Sequence, residues 1–341
     1  MGRKPWHRMA RLGGLNAAWF VALAGCSYVP PPRRPPSPHL TVEVERAEHT
    51  MATGERTDAV VVVVLDGARW QDVLAGADPP GVMPNLHTMI ARGVLIGARQ
   101  GGETIFASGP DFISLPGYTE IFTGRTPVDC ADNDCRPASG PTIVDEVSDH
   151  GSAAVFASWA PIARVAARRG AAVMISAGGP DARFRADADT AIAALAYLAV
   201  HRPRFLFLGL GEPDELAHQG DYPGYLETLR QADVIVGELA LTLAGMGERG
   251  RRTSVFVTCD HGRGEDFRHH GARWPESSRV FLVAAGGSIP ARGVTRGSAE
   301  HRLRDIAPSI RALLSLPPDR SPLAGSPIEA LLPGRERTLS P

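Results

Sequence analysis

Three segments that are far apart in the chain each place metal-binding side chains at or just beyond the end of an apolar run. VVVVLDG carries Asp66, FLFLGLGEPDELAH contains Asp214 and His218, and VFVTCDHG carries Asp260 and His261. Carboxylate oxygens and imidazole nitrogens are ligands for zinc and for other divalent ions. Because the carboxyl ends of strands in an open α/β sheet face one crevice, we expect these side chains to converge on a metal site.

Each of these signals also has an ordinary structural explanation when it is taken alone. Asp66 followed by Gly67 is a turn signal at the end of a strand. Asp214 and His218 share one face if the segment after Pro213 is helical, but the same spacing occurs on helix surfaces. The position of each segment behind a buried run is what favours a functional site.

A histidine pair and a serine extend the candidate site. His269 and His270 are close enough to the third segment to loop back toward it, with a solvated pair as the alternative, and spacing does not choose between them. Ser114 lies just ahead of a predicted helix in SLPGYTEIFTGR. A helix N-terminus is a natural phosphate site, and metal coordination would make the hydroxyl a nucleophile. The alternative is an ordinary N-cap serine.

The order of the predicted elements indicates how these side chains are brought together. Apolar, β-branched runs without polar alternation, such as Ala59–Leu65, are typical of strands buried on both faces of a parallel sheet. Further strands are predicted at Ala153–Ala157, Arg204–Leu210, Thr253–Thr258 and Arg279–Ala285, and helices at Met83–Arg92, Leu115–Thr123, Thr142–His150, Ala160–Arg169, Asp187–His201, Gly224–Gly245 and Arg302–Leu314. Their alternation predicts a single α/β domain, residues 57–318, with a mainly parallel central sheet and helices on both faces.

The N-terminus has the pattern of an export signal. Basic residues precede the apolar stretch LNAAWFVALAG, which is short for a bilayer span and fits the apolar region of a signal peptide. The ending Leu23-Ala24-Gly25-Cys26 resembles the lipobox of bacterial lipoproteins, in which the cysteine is lipidated. We expect a signal peptide over residues 1–25 and lipidation of Cys26, with an ordinary secretory signal cut near Ala24 as the alternative.

Export of the protein bears on its location and on the state of its cysteines. Ser27 is not Asp, which by the sorting rule of Gram-negative envelopes favours the periplasmic face of the outer membrane. Residues 26–56, with their Pro-rich start, are predicted to be an extended tether, and residues 319–341 a poorly ordered tail. Cys130 and Cys135 can pair as a disulfide in an oxidising compartment, the alternative being two free thiols.

Composition restricts the partners but not the reaction. The 341 residues include 36 Lys+Arg and 37 Asp+Glu. This balance gives no indication of a nucleic-acid surface. Nothing in the sequence indicates the oligomeric state.

Four strings carry a resemblance to a known family: VVVVLDGAR, SLPGYTEIFTGRTP, FLFLGLGEPDELAHQGD and VTCDHGRGEDFRHHG. In this order they resemble the alkaline phosphatase superfamily, and within it the type I phosphodiesterase/nucleotide pyrophosphatase-like branch. The resemblance implies two divalent metal ions, usually zinc, and a nucleophile at Ser114. The positions that match the ligands of one ion are Asp66, Ser114, Asp260 and His261, and those that match the ligands of the other are Asp214, His218 and His270. His270 is preferred over its neighbour because the last ligand of the family precedes a glycine.

Departures from that branch bear on the substrate. The branch usually reads Thr-Phe-Pro-Asn-His where this chain runs from Ser114 to Tyr118 as SLPGY, so we expect different substrate contacts. The sulfatase signature is not met, because Tyr118 stands where that signature has an arginine. The loops Gly97–Ile113 and Pro127–Pro141 are expected to form the walls of the substrate pocket, with Asn133 as a candidate substrate-binding residue.

These observations predict a metal-dependent hydrolase of phosphoric esters, a phosphodiesterase or phosphomonoesterase, that acts through Ser114 on a phosphate-ester substrate. A transferase of phosphoryl or substituted phosphoryl groups in the same superfamily is the nearest alternative. A lipoprotein that keeps the fold only for binding is the alternative from another class, and the complete set of candidate ligands argues against it.

Overall fold

The computed structural model describes residues 56–75, 81–98, 101–135, 140–168, 173–179 and 183–334. All of them belong to one compact unit. The predictions of a signal peptide, of lipidation at Cys26 and of a tether through residue 55 lie outside the described residues. None of the helices formed by the residues given above combines the length and the apolar character that crossing a membrane requires.

The strands formed by the described residues make up two sheets. In chain order the strands are β1 (Ala59–Leu65), β2 (Gly93–Ile96), β3 (Thr104–Phe106), β4 (Ala153–Ala157), β5 (Met174–Ala177), β6 (Phe205–Leu210), β7 (Thr253–Thr258), β8 (Arg279–Val280), β9 (Leu282–Gly286), β10 (Gly293–Val294) and β11 (Glu300–Arg302). The central sheet has the order β10-β2-β9-β7-β1-β6-β4-β5, and a small second sheet has the order β11-β3-β8. In the central sheet only β9 runs antiparallel to its neighbours, β7 and β2.

Helices connect these strands and pack on the central sheet. They are α1 (Trp70–Val73), α2 (Pro84–Ala91), α3 (Ser114–Thr123), α4 (Ile143–Ser148), α5 (Ala163–Ala166), α6 (Asp187–His201), α7 (Glu212–Gln219), α8 (Tyr222–Gly245), α9 (Glu248–Arg251) and α10 (Ile306–Leu313), with short 3-10 turns at Ala160–Ile162, Pro275–Ser278, Leu303–Asp305 and Glu329–Leu331. The predicted fold class, an α/β domain with a mainly parallel central sheet, is confirmed.

The three central strands explain why their sequences lack polar alternation. Every residue of β1, β6 and β7 is buried, because both faces of the sheet are covered there. In the parallel register Leu65 pairs with Leu210, and Val64 pairs with Thr258. The segments that follow these three strands therefore leave the sheet side by side at one edge, which is where the candidate site lies.

Other parts of the sequence-based prediction need correction. The helix predicted at Ala160–Arg169 is a 3-10 turn followed by the four residues of α5. The strand predicted at Arg279–Ala285 is divided between the two sheets, as β8 and β9. The short strands β2 and β5 were not predicted, because four residues are too few to establish a periodicity.

The segment beyond residue 318 also differs from the prediction of a poorly ordered tail. Asp319 forms an ion pair with Arg125, with 2.6 Å between Oδ2 and Nε. Ile328 and Leu331 are buried in the core. The packed part of the chain thus continues as far as Leu331, and residues 335–341 of the predicted tail lie outside the described residues.

Candidate active site

The predicted ligands lie at one edge of the central sheet. Asp66 directly follows β1, Asp260 and His261 come just after the end of β7, and Asp214 and His218 are carried by α7, which begins two residues after β6. Since β1 lies between β6 and β7, the side chains from three adjacent strand ends meet. They form two groups.

The inner group consists of Asp66, Asp260 and His261, whose ligand atoms all lie within 4.8 Å of one another. All three residues are buried. His261 Nε2 lies 3.6 Å from Asp66 Oδ1 and 3.5 Å from Asp260 Oδ2. The Gly67 N–H donates to Asp260 Oδ1, whereas Asp260 Oδ2 has no hydrogen-bond partner. A buried carboxylate oxygen without a partner is costly unless a cation binds it, so this group fits a divalent ion.

The outer group consists of Asp214, His218 and His270. His218 Nε2 lies 3.2 Å from Asp214 Oδ2 and 3.0 Å from His270 Nε2, and His270 Nε2 lies 3.9 Å from Asp214 Oδ1. The side chain of His218 is 47% exposed, so this group opens to solvent. Asp214 and His218 share one face of α7, as their spacing predicted. His261 Nε2 is 4.0 Å from Asp214 Oδ1 and joins the two groups.

Backbone carbonyls orient two of the imidazoles for ligation. The Nδ1 atom of His261 lies 2.9 Å from the Gly262 oxygen, and that of His270 lies 3.0 Å from the Phe112 oxygen. A carbonyl oxygen only accepts, so Nδ1 donates in both cases and Nε2 keeps its lone pair for the site. Burial lowers the pKa of both histidines, that of His261 well below its usual range, which favours the neutral form that binds metal.

The carboxylates of the inner group repel one another. Burial raises the pKa of Asp66 well above its usual range, and the charges of Asp260 and Asp214 raise it further. Burial likewise raises the pKa of Asp260 to about 8, with the Gly67 N–H opposing the shift. A bound cation would reverse both shifts, because it stabilises the charged carboxylates.

The Ser114 hydroxyl faces the inner group and does not cap the helix. It is the first residue of α3, its hydroxyl makes no capping hydrogen bond, and Ile113 holds the N-cap position. The Ser114 Oγ atom donates to Asp66 Oδ1 at 3.3 Å and lies 3.4 Å from His261 Nε2. The hydroxyl therefore faces the inner group, as expected if it is a ligand there.

The loop of the cysteine pair lies beside this helix N-terminus. Cys130 and Cys135 form a disulfide, and between them Asn133 Oδ1 accepts a hydrogen bond from the Leu115 N–H at 3.0 Å. Pro116 has no N–H, so the first turn of α3 offers fewer free donors to a phosphate than a usual helix N-terminus. With Oδ1 held in this way, the Asn133 side-chain amide is left as a donor near Ser114.

Two further residues of the site were not identified as parts of it from the sequence. The Tyr118 hydroxyl donates to Asp66 Oδ2 at 3.0 Å, on the side away from Ser114. Arg263 forms a buried ion pair with Asp214. Burial would raise the pKa of Asp214, but the charges of Arg263 and His218 hold it well below its usual range. The only sequence signal for either residue is proximity, because both lie in the strings that contain the ligands.

His269 is the one candidate that the structure places outside the site. Its Nδ1 lies 2.6 Å from Asp266 Oδ2, and its ring stacks on Trp274 at 4.9 Å between centroids. Half of its side chain is exposed. The geometry thus separates the adjacent histidines, with His270 in the outer group and His269 on the surface.

Comparison with known proteins finds similarity mainly at the level of structure. No family model matches the chain. Curated 2,3-bisphosphoglycerate-independent phosphoglycerate mutases match it in part: that of Rippkaea orientalis is 28% identical over 131 residues, 36% of this chain and 24% of that protein. That of Halobacterium salinarum is 30% identical over 121 residues, 35% of this chain and 22% of that protein. The matched part spans about a quarter of the length of these relatives.

Solved structures match over most of the chain. A 2-O GAG sulfatase superposes with a TM-score of 0.60 at 15% identity, covering 80% of this chain and 73% of that one. Murine ectonucleotide pyrophosphatase/phosphodiesterase 5, in complex with AMP, gives a TM-score of 0.53 at 14% identity, with 79% and 97% covered. At such low identities the similarity establishes the fold, and the chain therefore has an alkaline phosphatase-like fold, with its candidate metal ligands at the carboxyl edge of the central sheet.

Proposed function

We propose that this protein is a metal-dependent hydrolase of phosphoric esters that uses Ser114 as its nucleophile. The observation that carries the proposal is the position of the Ser114 hydroxyl, within hydrogen-bond distance of Asp66 and His261 and at the start of α3. A hydroxyl held between a carboxylate and an imidazole, beside an unpartnered carboxylate oxygen, is suited to ionisation by a metal ion.

Two divalent ions are proposed, with zinc as the expected metal because the ligands are imidazoles and carboxylates. Asp66, Asp260, His261 and Ser114 would hold one ion, and the outer group would hold the other. Bound there, the ions would favour the ionised serine and offset negative charge on the transferred group.

The proposed reaction then consists of two successive displacements at phosphorus. The Ser114 oxygen attacks phosphorus, the bond to the leaving ester oxygen breaks, and a phosphoserine or a substituted phosphoserine is formed. Water then attacks the same phosphorus, and the bond to Ser114 breaks to release the product. The Asn133 amide is proposed to donate to a phosphoryl oxygen, because its Oδ1 is fixed by the Leu115 N–H beside Ser114.

A transferase is the second candidate, and the partial sequence match to phosphoglycerate mutases favours it. In that case an alcohol of an acceptor replaces water in the second displacement. Sulfate-ester hydrolysis is less well supported, although sulfatases share the fold. Tyr118 occupies the place of the signature arginine, and its hydroxyl is engaged by Asp66.

One set of assays separates these reactions. Metal-loaded protein is incubated with an aryl phosphate, a bis-aryl phosphate and an aryl sulfate, each with and without a primary alcohol as acceptor. The proposal expects release of the aryl alcohol from at least one phosphate ester, with loss of the activity in Ser114→Ala. Turnover of the aryl sulfate alone would refute it, and a phosphorylated acceptor as the main product would favour the transferase.

For the location of this activity, we propose anchoring to the membrane through a lipid on Cys26, at the periplasmic face of the outer membrane. The lipobox-like ending at Cys26 and the residue after it support this proposal. The disulfide between Cys130 and Cys135 is compatible with an oxidising compartment.

A further inference from the structure

A buried arginine lies directly beside the outer group. Arg263 follows His261 by two residues and is only 1% exposed. Its Nη2 atom donates to Asp214 Oδ1 in an ion pair and lies 3.2 Å from the Asp214 main-chain oxygen. The Nε atom donates to the Gly67 oxygen at 2.9 Å, and Nη1 donates to the Arg268 oxygen at 2.7 Å. Each nitrogen of the guanidinium thus has an acceptor, so its position is fixed.

The backbone is shaped around this guanidinium. Gly67 has a φ of +58°, and a Cβ there would come within 2.7 Å of Arg263 Nη2 and 2.4 Å of Asp214 Oδ1. A side chain at position 67 would therefore displace the ion pair. Because a guanidinium keeps its proton in proteins, the site contains a permanent positive charge next to one of its metal-ligating carboxylates.

The inner and outer groups differ in whether an arginine is paired with their carboxylates. Neither carboxylate of the inner group is bonded to a lysine or arginine among the described residues, and Asp260 Oδ2 has no partner. In the outer group, Asp214 Oδ1 is already neutralised by Arg263. A divalent ion in the outer group would meet less negative charge and a nearby positive charge, which weakens its binding.

We propose that Arg263 makes the two metal sites unequal, so that the inner group holds one ion tightly and the outer group binds a second ion weakly and reversibly. The inference rests on the proposed metal-dependent function and adds to it a residue that sets metal stoichiometry. Arg263 supplies at the outer group part of the positive charge that a second ion would bring. The outer-group atoms that Arg263 does not occupy, and that would bind this ion in place of their contacts with one another, are His218 Nε2, His270 Nε2 and Asp214 Oδ2.

Zinc titration of the full-length chain in detergent, followed by calorimetry, tests the inference without an activity assay. The wild type is expected to bind in two steps whose Kd values differ by at least about 100-fold, since one unit charge beside a ligand has an effect of that order. About one ion per chain should remain after treatment with a chelating resin. His218→Ala should remove the weak step and leave the tight one.

Substitution of the arginine supplies the direct comparison. Arg263→Met, which keeps most of the side-chain volume without the charge, should tighten the weak step by at least about 10-fold and change the tight step much less. The reason is that Arg263 is bonded to Asp214, whereas its charge acts on Asp66 and His261 without a direct bond. Arg263→Lys, which keeps the charge, should leave the two steps separated. Arg125→Met is the matched control: it breaks a similar arginine–aspartate pair with Asp319, at the other end of α3, and should change neither Kd.

The outcomes separate the inference from the function on which it rests. Two equal steps in the wild type, or a weaker outer site in Arg263→Met, would overturn the role of Arg263 while leaving a metal enzyme. Absence of any zinc binding would overturn the metal-dependent function as well. If Arg263→Met does not fold, Arg263→Gln supplies the same comparison, because it also removes the charge but keeps a side-chain donor for the surrounding oxygens.

Discussion

Replacing the serine at the start of α3 is the most informative single perturbation. In Ser114→Ala the bond-forming oxygen is lost, so turnover should fall by about 10³-fold or more, equivalent to at least about 4 kcal/mol of transition-state stabilisation. The stability effect should be small. Ser114 Oγ makes only two long polar contacts, at 3.3 and 3.4 Å, and no capping bond, so its removal should cost no more than about 1 kcal/mol.

The assay measures turnover of an aryl phosphate ester, bound zinc and the free energy of unfolding on the same preparation. Zinc at the inner group should largely remain, because Asp66, Asp260 and His261 still bind it. Thr142→Ala is the control for loss of a capping hydroxyl: Thr142 Oγ1 accepts from the Asp145 N–H and also donates to the Ala166 oxygen, so this variant should lose about 2 kcal/mol of stability and keep its turnover. A Ser114→Ala variant that behaves like Thr142→Ala would refute the reasoning.

Three further predictions concern the pocket, a buried acid and the anchor. Asn133→Ala should lower kcat/KM by about 100-fold, as expected when one donor to the transferred group is removed, and unchanged kinetics would exclude that role. Burial raises the pKa of Glu120 from 4.5 to about 7, so the folded state retains a proton that the unfolded state releases, and stability should fall as pH rises from 4.5 to 7. Glu120→Gln should flatten that part of the curve of unfolding free energy against pH, whereas Glu329→Gln, on the surface, should not. Cys26→Ala should move the protein out of the membrane fraction, and an unchanged membrane pool would contradict the lipobox interpretation.

The fold, and the convergence of the main candidate ligands on one edge of the sheet, could be predicted from the sequence for one physical reason. Strands buried on both faces are apolar and β-branched without polar alternation, and ligands bind at the carboxyl edge of such a sheet. Asp66 and Asp260 are therefore located by the ends of β1 and β7, and the spacing of Asp214 and His218 matches the pitch of α7. These are local rules, and they need no knowledge of the rest of the fold.

The remaining features depend on contacts between distant residues. Arg263 binds Asp214, 49 positions away, and Tyr118 binds Asp66, 52 positions away. No local sequence pattern therefore predicts either hydrogen bond. Spacing alone does not choose between His269 and His270, because the difference is which ring reaches His218, and His270 is preferred only through the family resemblance. Likewise, the C-terminal segment is anchored by contacts with distant residues, among them the ion pair between Asp319 and Arg125 and the hydrogen bond from the Ile328 N–H to Ser309 Oγ.

The stereochemistry at phosphorus tests the central claim most directly. A diester made chiral at phosphorus by sulfur substitution is hydrolysed in isotopically labelled water by the metal-loaded wild type, and the configuration of the product is determined. Attack by Ser114 followed by attack of water involves two in-line displacements, each of which inverts the centre, so the account predicts overall retention. Inversion would mean that water attacks the substrate directly, and Ser114 would then not be the nucleophile.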